Sequence, residues 1–175
     1  KIDSMLFEII LVLLLICLNG LLALSELAIV SARPARLKAQ ADKGLRGART
    51  AIALAKDPGK FLSTVQIGIT LVGIGAGAFS GATIGARLTA VLPGFGVPEV
   101  LAHEAGVGIV VIVITYLSLV IGELVPKQIA LAAPERMAVR VAPAMQALSR
   151  VAAPVGILAI AVLSSIPWLE QCLAS

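Results

Sequence analysis

The sequence has few aromatic residues, few charges, one histidine and two cysteines. Aromatic side chains make up 3% of the 175 residues, which leaves little to stack on nucleic-acid bases, so we expect no nucleic-acid partner. His103 is expected in an outer loop, and there is no Cys–His pair, no pair of catalytic carboxylates and no zinc-ligand spacing. Cys17 and Cys172 lie in or beside apolar stretches, where buried or lipid-facing thiols are expected. We therefore do not expect an enzyme.

Apolar residues dominate the rest of the chain. They form 59% of it, against 14% charged residues, and the mean hydropathy is +1.03. A soluble domain of this size cannot bury that much apolar surface, so we expect an integral membrane protein. Three apolar runs, 5–30, 61–86 and 105–126, reach the roughly 20 residues that a spanning helix needs. The predicted fold class is an all-α integral membrane protein, with a single domain over 1–175.

Basic residues set the expected orientation. The connection between the first two runs carries eight Lys or Arg and two Asp, whereas the next connection carries one Arg, two Glu and His103. Four more basic residues follow the third run: Lys127, Arg136, Arg140 and Arg150. The positive-inside rule then places the first connection and the segment just after the third run in the cytoplasm and the N-terminus outside. We expect a multi-pass protein of a bacterial-type inner (plasma) membrane, with the lipid bilayer as its partner.

Two further segments are expected to form helices beside the membrane. Residues 33–57 predict a surface helix that ends at Asp57-Pro58-Gly59. The apolar run 151–169 contains prolines and follows Pro143, so it either spans the membrane or forms an interfacial or re-entrant helix pair over about 134–171. We favour the pair, because prolines suit a broken element packed against other helices.

Polar residues fall at a similar depth in all three runs, in the half nearer the cytoplasm. They are Asn19, Ser25 and Glu26 in the first run, Ser63, Thr64, Gln66 and Thr70 in the second, and Thr115, Ser118 and Glu123 in the third. Such residues are expected to face protein rather than lipid. Carboxylate, hydroxyl and carbonyl oxygens are the ligands of hard cations, so the pattern indicates an ion site between the three helices.

The stretch "GELVP" adds a backbone oxygen to this set. Pro126 has no N–H to donate to the carbonyl of Gly122, so that oxygen is expected to be bare, next to Glu123. Other interpretations remain open. Glu123 and Lys127 have the i, i+4 spacing of a helical salt bridge, and Pro126 is also a signal for the end of a span.

The remaining polar residues also have structural interpretations. Glu26 is expected to pair with Arg33 or a neighbour if it does not ligate an ion. Serine hydroxyls in membrane helices commonly bond their own backbone, and Asn19 is a candidate for an interhelical hydrogen bond.

Glycines in the second run form a ladder. Gly73, Gly77, Gly81 and Gly85 are spaced by four, a pattern that lets another helix approach closely. The approaching helix is either a neighbour in the same chain or a second copy in a dimer. The segment lacks the G-K-[ST] ending of a phosphate loop, so we do not expect nucleotide binding there.

Three motifs resemble the transmembrane domain of the CorC/CNNM (cyclin M) family of magnesium transporters. They are "NGLLALSELAIVSARPARL" (19–37), "FLSTVQIGITLVGIGAGAFSG" (61–81) and "IGELVPKQIAL" (121–131). The resemblance implies three spanning helices, a helical belt on the cytoplasmic side, a homodimer, and Mg²⁺ export coupled to Na⁺ entry. Family members continue into a cytosolic CBS module that binds ATP, so the resemblance implies a cytoplasmic C-terminus and favours the re-entrant pair over a fourth span. We expect that module, and hence ATP binding, to be absent from this chain.

Carried onto this sequence, the family's ion-site pattern falls on Ser25, Ser63, Ser118, Gly122 and Glu123, together with Asn19. We therefore expect a homodimeric Mg²⁺ transporter domain, with Na⁺ as the coupled ion and with rocking of the spans along the glycine ladder. The alternatives are a non-transporting dimeric membrane anchor or signalling domain, and a divalent-cation channel. Ligand types alone do not choose among Mg²⁺, Ca²⁺, Mn²⁺ and Na⁺.

Overall fold

A computed structural model describes residues 2–164, and every regular element in that range is helical. The fold class is therefore confirmed. The helices are α1 (Ile2–Ser31), α2 (Pro34–Asp42), α3 (Arg46–Lys56), α4 (Pro58–Ser80), α5 (Ala86–Val91), α6 (Glu99–Leu119), α7 (Val125–Ala132) and α8 (Pro134–Ser164). Two π-helical turns, Gly81–Gly85 and Val120–Leu124, join α4 to α5 and α6 to α7, and a 3-10 turn spans Leu92–Phe95.

Three helical segments of the described chain are long and apolar enough to cross a membrane: Met5–Ser31, Phe61–Phe95 and Glu99–Ala132. They correspond to the three predicted runs. The second and third are longer than the predicted 61–86 and 105–126, because the helical segments continue past the charged residues Arg87, Glu104 and Lys127 that bounded the predicted runs. His103, which was expected in a loop, therefore lies in α6. A helix satisfies its own backbone hydrogen bonds, so the membrane boundary gives it no reason to stop.

The segment 33–57 forms two helices where one was expected. Gly44 ends α2 with a left-handed φ of 87°. The amide of Gly44 donates to Ala41 O at 3.0 Å, and the amide of Leu45 donates to Gln40 O at 3.2 Å. This pair of bonds is the Schellman motif, which closes a helix most readily at glycine.

The C-terminal segment forms one helix where a pair was expected. α8 continues through Pro143 and Pro154 to Ser164, and residues 165–171 lie outside the described residues. Pro143 deprives the carbonyl of Val139 of its intrahelical donor. Gly47 of α3 packs against that carbonyl so closely that a Cβ at Gly47 would overlap the oxygen of Val139. The helix bearing the proline is thus held by its neighbour.

The hydrophobic core lies where α2, α3 and α8 gather around the ends of α1 and α4. Its largest members include Leu22, Ile29, Leu37, Phe61 and Met145. We call this end of the helix bundle, which also holds most of the lysines and arginines, the basic end. Elsewhere the spanning segments expose large apolar side chains, such as Ile112 at 70% and Leu71 at 65%. Those surfaces suit contact with lipid.

Candidate functional site

Asn19 of α1 contacts the backbone of the third spanning segment inside the protein. Its Nδ2 donates a hydrogen bond of 3.2 Å to the carbonyl oxygen of Gly122, and the bond is buried. Pro126 has no N–H to donate to this oxygen. The expectation of a bare carbonyl is therefore wrong, because a side chain from another helix replaces the missing donor. Asn19 also forms the interhelical bond that was the alternative interpretation of its position.

The backbone around Pro126 remains helical. Val120–Leu124 form a π-turn, in which the amide of Val125 donates to Val120 O. Leu124 and Val125 keep helical torsion angles, and α7 continues to Ala132. Pro126 thus neither ends nor interrupts the helical run. Its missing hydrogen bond is accommodated by a wide turn, a device that recurs at functional sites.

Two glycines allow α1 to approach this turn. A Cβ at Gly20 would lie 2.9 Å from Pro126 Cγ and 3.1 Å from the oxygen of Ile121. A Cβ at Gly122 would lie 3.3 Å from both Asn19 Nδ2 and the oxygen of Ile16. Gly20 was not predicted as a site residue from the sequence. Its signal there is the Asn19-Gly20 pair, which places a hydrogen-bond donor beside a residue with no side chain.

The Oδ1 atom of Asn19 has no hydrogen-bond partner within residues 2–164. The residue is only 7% exposed, and leaving such a buried acceptor unpaired costs about 1–3 kcal/mol. A carboxamide oxygen is a ligand type for hard cations and for their bound water. This atom is therefore where the described structure best fits a cation or its hydration shell.

Glu123 follows Gly122 and forms the salt bridge that its spacing allowed. Lys127 Nζ lies 2.5 Å from Glu123 Oε1, and the Glu123 side chain is 43% exposed. Lys127 also lines a cavity of ≈ 340 Å³ together with Glu26, Leu27, Val30 and Leu62. One ammonium group therefore neutralises Glu123 and shares a cavity with Glu26. A cation approaching Glu123 would compete with Lys127.

The three candidate serines differ in their surroundings. Ser25 is fully buried, and its hydroxyl donates to Leu22 O at 2.7 Å. Ser63 is exposed, and its hydroxyl donates to Gly59 O at 2.8 Å. Ser118 is half-buried. Ser25 and Ser63 thus bond their own helices, the structural alternative for membrane hydroxyls, although an oxygen that donates its proton still has lone pairs for a ligand.

The structure thus brings Asn19 and Gly122 into direct contact, with Glu123 next in the chain. Within the described range, none of the three serines hydrogen-bonds to this group. Thr64, beside Ser63, is the buried residue of that pair, at 8% exposure. No cluster of three His, Cys, Asp or Glu that could hold a metal occurs between residues 2 and 164. The candidate set is therefore mainly neutral oxygens.

The glycine ladder divides into two halves. Gly85 packs against α6, where a Cβ would lie 3.3 Å from Val107 Cα. A Cβ at Gly81 would lie 3.9 Å from Val107 Cγ1. A Cβ at Gly73 or Gly77 would meet nothing within 4 Å. Gly81 and Gly85 therefore serve a neighbour in the same chain. The close partner expected for Gly73 and Gly77 stays a prediction.

Known proteins are similar in sequence to this chain over most of its length. Residues 9–168 match the family model described as the cyclin M transmembrane N-terminal domain. The chain is 47% identical over 152 residues to the UPF0053 protein sll0260 of Synechocystis sp., which covers 87% of this chain and 34% of that protein. It is 35% identical over 151 residues to the uncharacterized protein Rv1841c of Mycobacterium tuberculosis, covering 86% and 43%.

A third relative is the UPF0053 inner membrane protein YfjD of Escherichia coli. The identity is 35% over 114 residues, covering 65% of this chain and 23% of that protein. The chain therefore spans less than half the length of each of these curated relatives.

Proposed function

This chain belongs to the cyclin M transmembrane domain family, and on that premise we propose that it is the membrane domain of a magnesium transporter. The observation that carries the proposal is the buried hydrogen bond between Asn19 Nδ2 and Gly122 O, which leaves Asn19 Oδ1 buried and unpaired within the described residues. Family membership supplies the ion, because the oxygen ligands alone do not distinguish Mg²⁺ from other hard cations.

Asn19 orients the site. Because its Nδ2 is held by Gly122 O, the carboxamide cannot turn, and Oδ1 is fixed as an acceptor. Mg²⁺ gives up its water reluctantly, so a single neutral oxygen suits contact with the hydrated ion better than with the bare one. Such a contact is weak, as a transported ion requires, since the ion must also leave.

Glu123 supplies the negative charge, and Lys127 regulates its availability. In the structure the ammonium group of Lys127 forms a salt bridge with the carboxylate of Glu123. A cation that reaches Glu123 displaces Lys127 toward the cavity it shares with Glu26. Because Glu26 lines the same cavity, the displaced ammonium group stays near a second carboxylate.

Orientation, assembly and coupling complete the proposal. We place the basic end in the cytoplasm by the positive-inside rule, with the N-terminus outside an inner (plasma) membrane. The family resemblance supports a homodimer, and the open face at Gly73 and Gly77 offers a close-packing surface for the second copy. Coupling to Na⁺ entry follows from the resemblance alone, with Na⁺ using the same oxygen ligands.

Isothermal titration of the purified protein with Mg²⁺, Ca²⁺ and Na⁺ tests the site. The parent should bind Mg²⁺, and Glu123→Gln and Asn19→Leu should each weaken that binding at least tenfold. Glu104→Gln is the matched control, because Glu104 is an exposed carboxylate of α6, outside the site. Equal heats for the parent and both site variants would remove the proposed ion site.

The salt bridge between Glu123 and Lys127 favours a second candidate, a non-transporting dimeric anchor or signalling domain. In that function the carboxylate of Glu123 only pairs with Lys127 and stabilises the helix, and it binds no ion. Reconstituted vesicles separate the two: an anchor moves no Mg²⁺ and tolerates Glu123→Gln, whereas a transporter loses flux. A divalent-cation channel would show flux that does not saturate as a carrier's does.

A further inference from the structure

A cavity of ≈ 600 Å³ lies at the basic end, where α1 gives way to α2 and α7 gives way to α8. Ser31, Arg33, Arg36 and Gln40 form one wall, and residues 131–136 form the other. None of the candidate ion ligands lines it. The cavity is therefore separate from the Asn19–Gly122 pair, and its interpretation does not depend on the transport proposal.

The lining of this cavity carries an excess of positive charge, with three arginines and one glutamate. The Glu135 side chain is 10% exposed, and its carboxylate lies 3.7 Å from a guanidinium nitrogen of Arg36. Arg33 and Arg136 are exposed, and neither forms an ion pair within residues 2–164. Two guanidinium groups at the cavity are thus available to an anion.

The helix geometry adds to this charge. α2 begins at Pro34 and α8 begins at Pro134, so both helices start at the cavity. α2 has no side-chain cap and no acidic residue in its first turn, and the positive end of its dipole is therefore uncompensated. Guanidinium groups bind phosphate oxygens through paired hydrogen bonds. The arginines and the N-terminus of α2 therefore favour a phosphate group over an uncharged ligand.

The position of the cavity indicates where that phosphate comes from. Two of the membrane-crossing segments, Met5–Ser31 and Glu99–Ala132, end at its walls. The cavity thus lies at the level where hydrocarbon gives way to lipid headgroups. Beside it, Val30 and Leu131 expose 56% and 53% of their surface, which suits acyl chains.

We propose that this cavity binds the phosphate group of an anionic phospholipid through Arg33, Arg36 and Arg136. Basic pockets at the membrane-proximal ends of helices provide this kind of headgroup recognition. The bound lipid would join the α1–α2 turn to the α7–α8 turn. It would thereby fix the positions of the α1–α2 and α7–α8 turns relative to each other at the membrane surface.

Titration calorimetry in a neutral detergent tests the proposal, with three probes. These are dihexanoyl phosphatidylglycerol, dihexanoyl phosphatidylcholine and inorganic phosphate. The parent protein should bind the anionic lipid and not the zwitterionic one. Arg33→Gln combined with Arg136→Gln should weaken binding roughly thirtyfold, as the loss of two basic residues at a membrane surface would. Arg36 is kept, because its loss would leave the buried Glu135 without its partner.

Two further variants make the test specific. Arg46→Gln with Arg49→Gln removes the same charge from exposed positions on α3, outside the cavity, and should leave binding within about twofold of the parent, because it does not line the site. Arg33→Lys with Arg136→Lys keeps the charge but loses the paired guanidinium bonds, and should give an intermediate loss. Circular dichroism melting establishes that each variant is folded.

Each outcome has a definite meaning. If the parent and the Arg33/Arg136 variant bind the lipid equally, the site is refuted. If the α3 control weakens binding as much, the attraction is diffuse surface charge and the site is again refuted. Inorganic phosphate that binds as tightly as the lipid, with the same dependence on Arg33 and Arg136, would support a phosphate site and assign it to free phosphate instead.

Discussion

Gly47 of α3 lies directly against the carbonyl of Val139 in α8, the carbonyl that Pro143 deprives of its intrahelical donor. The same relation occurs in the third spanning segment, where Asn19 covers the carbonyl freed by Pro126. In both places a proline lies within a continuous helical run, and another helix meets the carbonyl that it leaves. Three of the predictions below follow from these two contacts between helices.

Gly47→Ala should destabilise the packing of α3 on α8. The added Cβ would overlap Val139 O, so one of the two helices must shift, at a cost of about 1–3 kcal/mol in the free energy of unfolding. Gly75→Ala is the control, because a Cβ there meets nothing within 4 Å. Thermal unfolding in detergent measures both, and matching melting temperatures for the two variants would contradict the contact.

Asn19→Leu should lower the free energy of unfolding by about 1–3 kcal/mol, because it leaves Gly122 O buried and without a donor. Gln66→Leu, a similar change at an exposed position of α4, should cost less than about 0.5 kcal/mol. Thermal unfolding provides the comparison. Equal losses for the two variants would show that the hydrogen bond contributes nothing specific.

Pro126→Ala should reduce the contribution of the Asn19 hydrogen bond to the free energy of unfolding. Alanine restores an N–H that can donate to Gly122 O within the helix. The cost of Asn19→Leu should therefore be smaller in the Pro126→Ala background than in the parent, with a coupling energy of about 1 kcal/mol. A double-mutant cycle of unfolding free energies measures it. Strict additivity would mean that the two residues do not share this carbonyl.

Lys127→Gln should strengthen cation binding if Lys127 competes for Glu123. Removing the ammonium group at 2.5 Å frees the carboxylate, and we expect roughly a fivefold gain in Mg²⁺ affinity by calorimetry, which corresponds to about 1 kcal/mol. Lys38→Gln removes an exposed lysine of α2 and should change nothing. Weaker binding in Lys127→Gln would assign Lys127 a supporting role at the site instead.

Glu8→Gln should loosen the end of the bundle opposite the basic end. Arg87 grips both oxygens of Glu8, with Nε at 3.0 Å from Oε2 and Nη2 at 2.7 Å from Oε1. The Glu8 side chain is 15% exposed and that of Arg87 is 40% exposed, so we expect a loss of about 1–2 kcal/mol, below that of a fully buried pair. Glu99→Gln, at an exposed position, is the control. An unchanged melting temperature for Glu8→Gln would refute a stabilising role.

Several features of this protein could be predicted from local sequence alone. The three spanning segments follow from the length and hydropathy of the apolar runs, and the motifs correctly indicate the family. Glu123 and Lys127 pair as their spacing allows. The break between α2 and α3 also has a local signal, because Gly44 adopts the left-handed conformation that ends a helix. The single surface helix expected over 33–57 did not take this glycine into account.

Other features depended on tertiary contacts. Pro126 and Pro143 signal helix breaks in any local interpretation, and the structure shows continuous helical runs through both. The candidate serines shared a depth in the sequence, but burial separates Ser25 from Ser63. Depth along a helix follows from counting residues, whereas the direction in which a side chain points depends on which neighbouring helices pack there.

The sequence by itself determined that this chain is an all-helical membrane domain and where its backbone would lack hydrogen bonds. Only the tertiary structure decided what lies against those carbonyls: a side-chain donor from a residue 103 positions away at Gly122, and the packed backbone of Gly47 at Val139. The physical reason is that a missing donor is a local property of proline. The group that compensates for it is set by which helices pack together.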